Sequence, residues 1–263
     1  MRINLTNLHK MTQDGDKITM LTCYDASFAA VLDAAGVETL LIGDSLGMVL
    51  QGHDSTLPVT MRDVAYHTAC VARGSQRAFI IADMPFGSFQ VSPGEAFKNA
   101  ARLMAAGAQM VKIEGGETML ETIAYLTARG VPVCGHLGLT PQSVHQFGGY
   151  RVQGKNETDA ERLLADAVTL QDAGAGMLVL ELVPAALARD ITAQLHIPTI
   201  GIGAGAGCAG QVLVLYDMLD IFPGKKARFA KNFLENAGGI RQAVEKYVKE
   251  VKAGTFPGPG HSF

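Results

Sequence analysis

Residues 78–116 read AFIIADMPFGSFQVSPGEAFKNAARLMAAGAQMVKIEGG. The stretch opens with a short apolar run, Ala78–Ala82, that stops at Asp83. Ser92-Pro93 then supplies a helix N-cap followed by proline at the first helical position. The amphipathic segment Pro93–Ala106 ends at Gly107, a C-cap signal. A second apolar run, Gln109–Ile113, follows and stops at Glu114. Two short runs of near-continuous apolarity read as strands buried on both faces. Strands joined through a helix must be parallel, because antiparallel neighbours need only a tight turn.

The same unit recurs on both sides. Further runs lie at Ile18–Tyr24, Thr39–Ile42, Val131–Cys134, Met177–Leu180, Ile197–Ile202 and Val212–Tyr216, making eight in all. Helical patterns occupy Ala26–Ala35, Met61–Arg73, Glu117–Arg129, Thr158–Ala173, Pro184–Leu195 and Phe229–Lys252. Between the last two runs, Ala204–Gln211 is short and glycine-rich, a poor helix. Eight strand–helix units in about 250 residues predict a single (β/α)8 TIM barrel over residues 1–263. An open doubly wound sheet is the runner-up, with fewer strands and edges to protect.

Composition agrees with a core-rich globular chain. Of 263 residues, 48% are hydrophobic and 18% charged, below the roughly 25% charge of an average domain. A net charge of −3 and a pI near 6.2 argue against a nucleic-acid binder. No apolar run approaches the ~18 residues of a membrane span, and residues 1–17 lack the apolar core of a secretion signal. Cys23, Cys70, Cys134 and Cys208 have no metal-site or redox spacing and suit a reducing compartment. A cytoplasmic protein is expected.

In a barrel, catalytic groups come from the C-terminal ends of the strands. Those ends carry Asp25, Asp44-Ser45, Asp83, Lys112 with Glu114, His136, Glu181 and Asp217. Side chains alternate along a strand, so Lys112 and Glu114 share a face. The same parity pairs Ile42 with Asp44, Ile81 with Asp83, and Val179 with Glu181. Asp44, Asp83 and Glu114 are thereby expected to converge in the barrel mouth. Three carboxylates there would repel unless a cation joined them, and oxygen-only donors suit Mg²⁺. Lys112 can pair with Glu114 or hold an anionic substrate. Glu181, standing across the barrel, suits a general base or a helix cap. His136 is either a site residue or a satisfied core histidine. Asp25 and Asp217, taken singly, read as caps or turn residues. The segment Gly205–Gly210 fits G-x-G-x-x-G, but it follows the seventh run and has no acidic residue about 20 positions on. It reads as a barrel loop, with phosphate cradling as an alternative.

Several blocks carry a resemblance: LIGDSLGMVLQGHDSTLPVT (41–60), IIADMPFGSF (80–89), MVKIEGG (110–116), VPVCGHLGLTPQSVHQFGGYRVQG (131–154), LVLELVP (178–184) and IPTIGIGAG (197–205). They resemble the 3-methyl-2-oxobutanoate hydroxymethyltransferase (ketopantoate hydroxymethyltransferase) family, from about Leu21 to Phe263. The resemblance implies a barrel of the phosphoenolpyruvate/pyruvate superfamily, assembled as a cytoplasmic homodecamer. It implies transfer of a hydroxymethyl group from 5,10-methylenetetrahydrofolate to 3-methyl-2-oxobutanoate through a Mg²⁺-stabilised enolate. The product would be 2-dehydropantoate, at the first committed step of pantothenate synthesis. It also implies Asp44 and Asp83 as Mg²⁺ ligands, with Glu114 beside them directly or through water. Asp44, Ser45, Asp83 and Lys112 would contact substrate, and Glu181 would accept the proton. The partners implied are a small 2-oxo acid and a folate, with neither nucleic acid nor membrane.

Overall fold

The computed structural model describes residues 2–224 and 226–263. Its eight strands are β1 (Ile18–Thr22), β2 (Thr39–Ile42), β3 (Phe79–Asp83), β4 (Met110–Glu114), β5 (Val133–Gly138), β6 (Met177–Glu181), β7 (Thr199–Ile202) and β8 (Gly210–Leu213). All neighbours pair in parallel, and β8 returns to β1 to close the barrel in sequence order. Closure leaves no sheet edge. Nearly every strand residue is buried because the outward face meets helices and the inward face fills the barrel.

The helices are α1 (Leu5–Gln13), α2 (Ala26–Ala34), α3 (Leu46–Val49), α4 (Met61–Gly74), α5 (Pro93–Ala105), α6 (Leu120–Thr127), α7 (Val144–Phe147), α8 (Glu157–Asp172), α9 (Ala185–Gln194), α10 (Leu215–Met218) and α11 (Ile240–Lys252). Local chemistry starts them where the sequence indicates. The Ser92 side chain accepts from the Glu95 N–H ahead of α5, and the Asp25 carboxylate accepts from the Phe28 N–H at 2.8 Å ahead of α2. Asp25 is thus a helix cap.

The ends of the chain depart from expectation. α1 carries its own capping box between Asn4 and Asn7, an Asn–Asn variant that the usual Ser/Thr…Glu/Gln signature does not reveal. No helix spans residues 204–211. Gly205 packs against Ala185 and Gly207 against Arg189 of α9, and Lys17 donates to the Ala206 and Cys208 carbonyls. The glycines let the chain pass close to α9 and reach the start of β8 beside the start of β1. The expected helix over 229–252 begins only at Ile240. Asn236, Gly238 and Gly239 hold positive φ angles of 59°, 69° and 157°, which a right-handed helix cannot contain. β8 ends at Leu213, and a turn of helix replaces the expected strand end at Leu215 and Tyr216.

Register decides which residues face the barrel interior, since partners across a parallel pair point the same way. The partners Thr22↔Leu41, Leu41↔Ile81, Asp83↔Lys112, Glu114↔His136, His136↔Val179 and Glu181↔Ile202 trace the inward set. Asp83, Lys112, Glu114, His136 and Glu181 therefore enter by strand alternation. Asp44 does not. Leu41 belongs to the inward set and Ile42 to the outward one, so the parity expected for Asp44 is corrected. β2 ends at Ile42, and the turn at Asp44-Ser45 swings the carboxylate back over the mouth.

Candidate active site

The strand ends open into a cavity of about 810 Å³. Asp44, Ser45, Asp83, Lys112, Glu114, His136 and Glu181 all line it. Lys112 stands at the centre of a chain of contacts. Its Nζ lies 3.0 Å from Asp83 Oδ1, 3.2 Å from His136 Nδ1 and 3.8 Å from Glu114 Oε1. An ammonium has only donors, so His136 Nδ1 accepts and the ring proton sits on Nε2. That Nε2 faces Glu181 Oε2 at 3.3 Å, without good hydrogen-bond alignment. The backbone N–H of Asp44 donates to Asp83 Oδ2 at 2.9 Å, and Tyr24 Oη lies 2.9 Å from Ser45 Oγ.

Gln142, from the loop after β5, ties this cluster together. Its backbone N–H donates to Glu114 Oε2 at 2.9 Å. Its side-chain Nε2 lies 2.9 Å from both Asp44 Oδ2 and the Met84 carbonyl. Gln142 and Tyr24 were not singled out from the sequence. Gln142 stands inside the quoted 131–154 block, but no spacing rule marks a loop amide as a bridge between two strand ends.

The electrostatics follow from burial. Desolvation raises the Asp44 carboxyl well above the usual range, and the neighbouring Asp83 and Glu114 add to it. Burial pushes Glu114 up to about 7 against the pull of Lys112. Burial disfavours the charged form of Lys112, but Asp83, Glu114 and Asp44 outweigh it and hold the ammonium above its ordinary value. Burial, with Lys112 alongside, lowers His136, so the ring is neutral near pH 7. Burial also raises Glu181, partly offset by His136. The side chain of Glu181 keeps 14% of its surface exposed, against 4% for Asp83 and Glu114. It is therefore the carboxylate of the three that an incoming molecule meets first.

Asp44, Asp83, Glu114 and Glu181 against one lysine leave a negative excess when all are ionised. Asp83 Oδ1 and Glu114 Oε1 lack a well-formed hydrogen bond. Both features suit an oxygen-loving cation. Among the described residues, no three His, Cys, Asp or Glu side chains close into a metal cage by themselves. Asp44 and Asp83 lie together, while Lys112 stands beside Glu114. Two carboxylates are nonetheless a sufficient protein donor set for Mg²⁺, which keeps waters and takes substrate oxygens.

A family model described as ketopantoate hydroxymethyltransferase matches residues 2–259. A 3-methyl-2-oxobutanoate hydroxymethyltransferase from Nitrosospira multiformis is 64% identical over 263 residues, covering all of both chains. A solved structure of a putative phosphonomutase from Burkholderia cenocepacia superposes with a TM-score of 0.64 at 17% identity, over 82% of this chain and 95% of that one. A 2,3-dimethylmalate lyase, described as a PEP mutase/isocitrate lyase superfamily member, gives 0.57 at 18% identity, over 81% of each chain. The two structural likenesses establish the barrel type, while full-length identity at this level establishes the family. With the site built on this barrel and the match running almost from end to end, the chain belongs to the ketopantoate hydroxymethyltransferase family and is an enzyme of that type.

Proposed function

We propose that the chain transfers a hydroxymethyl group from 5,10-methylenetetrahydrofolate to 3-methyl-2-oxobutanoate, giving 2-dehydropantoate for pantothenate synthesis. The observation that carries this reading is the pairing of a charged, buried Lys112 with Glu181 across one neutral histidine. A 2-oxo acid needs a cation for its carboxylate and a base for the carbon beside its ketone. The site offers both, on opposite sides of His136.

Asp44 and Asp83 would hold Mg²⁺, on the strength of their neighbouring buried carboxylate oxygens, with Lys112 beside Asp83 Oδ1. When bound, the ion supplies Lewis-acid polarisation of the keto group. Lys112 and the Ser45 hydroxyl bind and orient the substrate carboxylate. Tyr24 fixes the Ser45 hydroxyl from the side. Glu181 takes the C3 proton, helped by a basicity that its partly buried position raises. His136 accepts from Lys112 at Nδ1 and turns Nε2 toward Glu181 at 3.3 Å, so the ring stands between the two. The same reading takes the protein as a cytoplasmic homodecamer, on the family resemblance alone.

The test is hydrogen exchange. With Mg²⁺ but no folate in D₂O, the protein should erase the C3 proton signal of 3-methyl-2-oxobutanoate. Absence of exchange near neutral pH overturns the reading.

A further inference from the structure

The cavity is larger than a small 2-oxo acid fills. At about 810 Å³ it falls in the range, roughly 300–1,000 Å³, that takes a drug-sized ligand. It also has two unlike halves. The titratable cluster described above comes from the ends of β2 to β6. The opposite wall comes from β7, β8 and the segment after β8, through Ile202, Val212, Val214, Phe222 and Phe229. These five side chains are apolar, and Asp217 in α10 lines the same part of the cavity; Lys226 and Arg228 follow farther along the segment. Among the described residues, no side chain or backbone group hydrogen-bonds the Asp217 carboxylate, and no cation pairs with it. Burial pushes Asp217 up to about 6, with no charged partner contributing. The chemistry assigned to the cluster makes no use of this carboxylate. A polar acceptor in an apolar wall beside an active site is set to read a ligand's donors.

We propose that this half of the cavity seats the pteridine ring of the one-carbon donor, with the Asp217 carboxylate accepting from its 2-amino group and its N3–H. The inference rests on the folate-donor reading and adds the location and the reading residue. The aminopyrimidinone edge presents two parallel donors, which a carboxylate matches with its two oxygens. Phe222 and Phe229 line the same cavity and supply aromatic partners of the kind a pteridine ring packs against. Lys226 and Arg228 also line the cavity, where the donor's glutamate carboxylates would emerge. Lys226 pairs with Asp220, and Arg228 donates to the Gly260 carbonyl at 3.3 Å, so each already has one partner.

The experiment is calorimetric titration of the full-length protein with tetrahydrofolate under anaerobic conditions, and with an analogue lacking the 2-amino group. The wild type should bind tetrahydrofolate about ten- to a hundredfold more tightly than the analogue. Asp217→Asn should lose most of that preference by weakening tetrahydrofolate and leaving the analogue nearly unchanged. Asp217→Glu should recover part of it. A variant that merely misfolds would weaken both ligands and unfold earlier on heating, so an unaltered melting curve accompanies the supporting result. Wild-type binding of tetrahydrofolate with an undiminished preference in Asp217→Asn overturns the assignment of Asp217 alone. Failure of the wild type to bind tetrahydrofolate at all overturns the donor reading as well.

Discussion

Glu181 sits where two demands on a general base meet. It must be buried enough to be basic and open enough to reach a substrate. Because burial raises its pKa, the base form is lost at a higher pH than for an ordinary glutamate near 4.3. The acid limb of the C3 exchange rate should therefore lie above the usual carboxylate range, as a pH profile in D₂O would record. Glu181→Gln should slow that exchange by about 10²–10⁴-fold, while calorimetric binding of the 2-oxo acid stays close to wild type. Slowing of binding and exchange together would make Glu181 a binding group instead. Gln142 poses a separate question at the same scale. Gln142→Leu removes the amide that faces Asp44 Oδ2 and the Met84 carbonyl, leaving buried acceptors without a donor. A destabilisation of about 1–3 kcal/mol is expected from urea unfolding.

Among the elements, β5 and β6 show how backbone geometry sets a side chain in place. Gly138 ends β5 with a φ of 90° and lies opposite Glu181 in register. A Cβ at Gly138 would fall on the Glu181 carbonyl and against the Val183 side chain. The end of β6 would have to move, and Glu181 with it. Gly138→Ala should cost about 1–3 kcal/mol in thermal unfolding, from the unfavourable φ, and should lower the exchange rate beyond what stability explains. The elements also separate what pattern reveals from what it hides. Lys112, Glu114, Asp83 and Glu181 face inward because alternation along a strand is obligatory. Asp44 reaches the same place by a turn, where alternation no longer applies. Gln142 arrives on a loop whose course no periodicity encodes.

The whole molecule depends on a closing seam between its first and last strands. Tyr247 of α11 bears on that seam, its hydroxyl 2.9 Å from the Met20 carbonyl of β1 and 2.8 Å from the Gln211 carbonyl of β8. One hydroxyl proton serves one carbonyl at a time. Tyr247→Phe should therefore lower stability by about 0.5–1.5 kcal/mol in urea unfolding, with the exchange activity of the folded fraction intact. The helix that carries Tyr247 is half the length expected from the sequence, because the glycines and Asn236 before Ile240 adopt backbone angles closed to a right-handed helix.

The sequence by itself determined the eight parallel strands, most of their helices and the acidic ends of the strands. These are consequences of local rules: apolar runs of strand length, caps such as Ser92-Pro93, and stop signals such as Gly107. It also carried the family, in blocks such as 41–60 and 131–154. Only the tertiary structure decided which groups meet. Lys112 and His136 are 24 positions apart, and Gln142 and Asp44 are 98 apart, yet each pair is in contact. The pKa shifts of Asp44, Lys112 and His136 come from burial and from neighbours that strand register and the turns after the strands bring together. The same holds for Asp217, which reads as a turn residue along the chain and becomes a solitary carboxylate in an apolar wall once the barrel closes. Local propensity acts over a few residues, whereas a site is made by strands brought side by side across the whole chain.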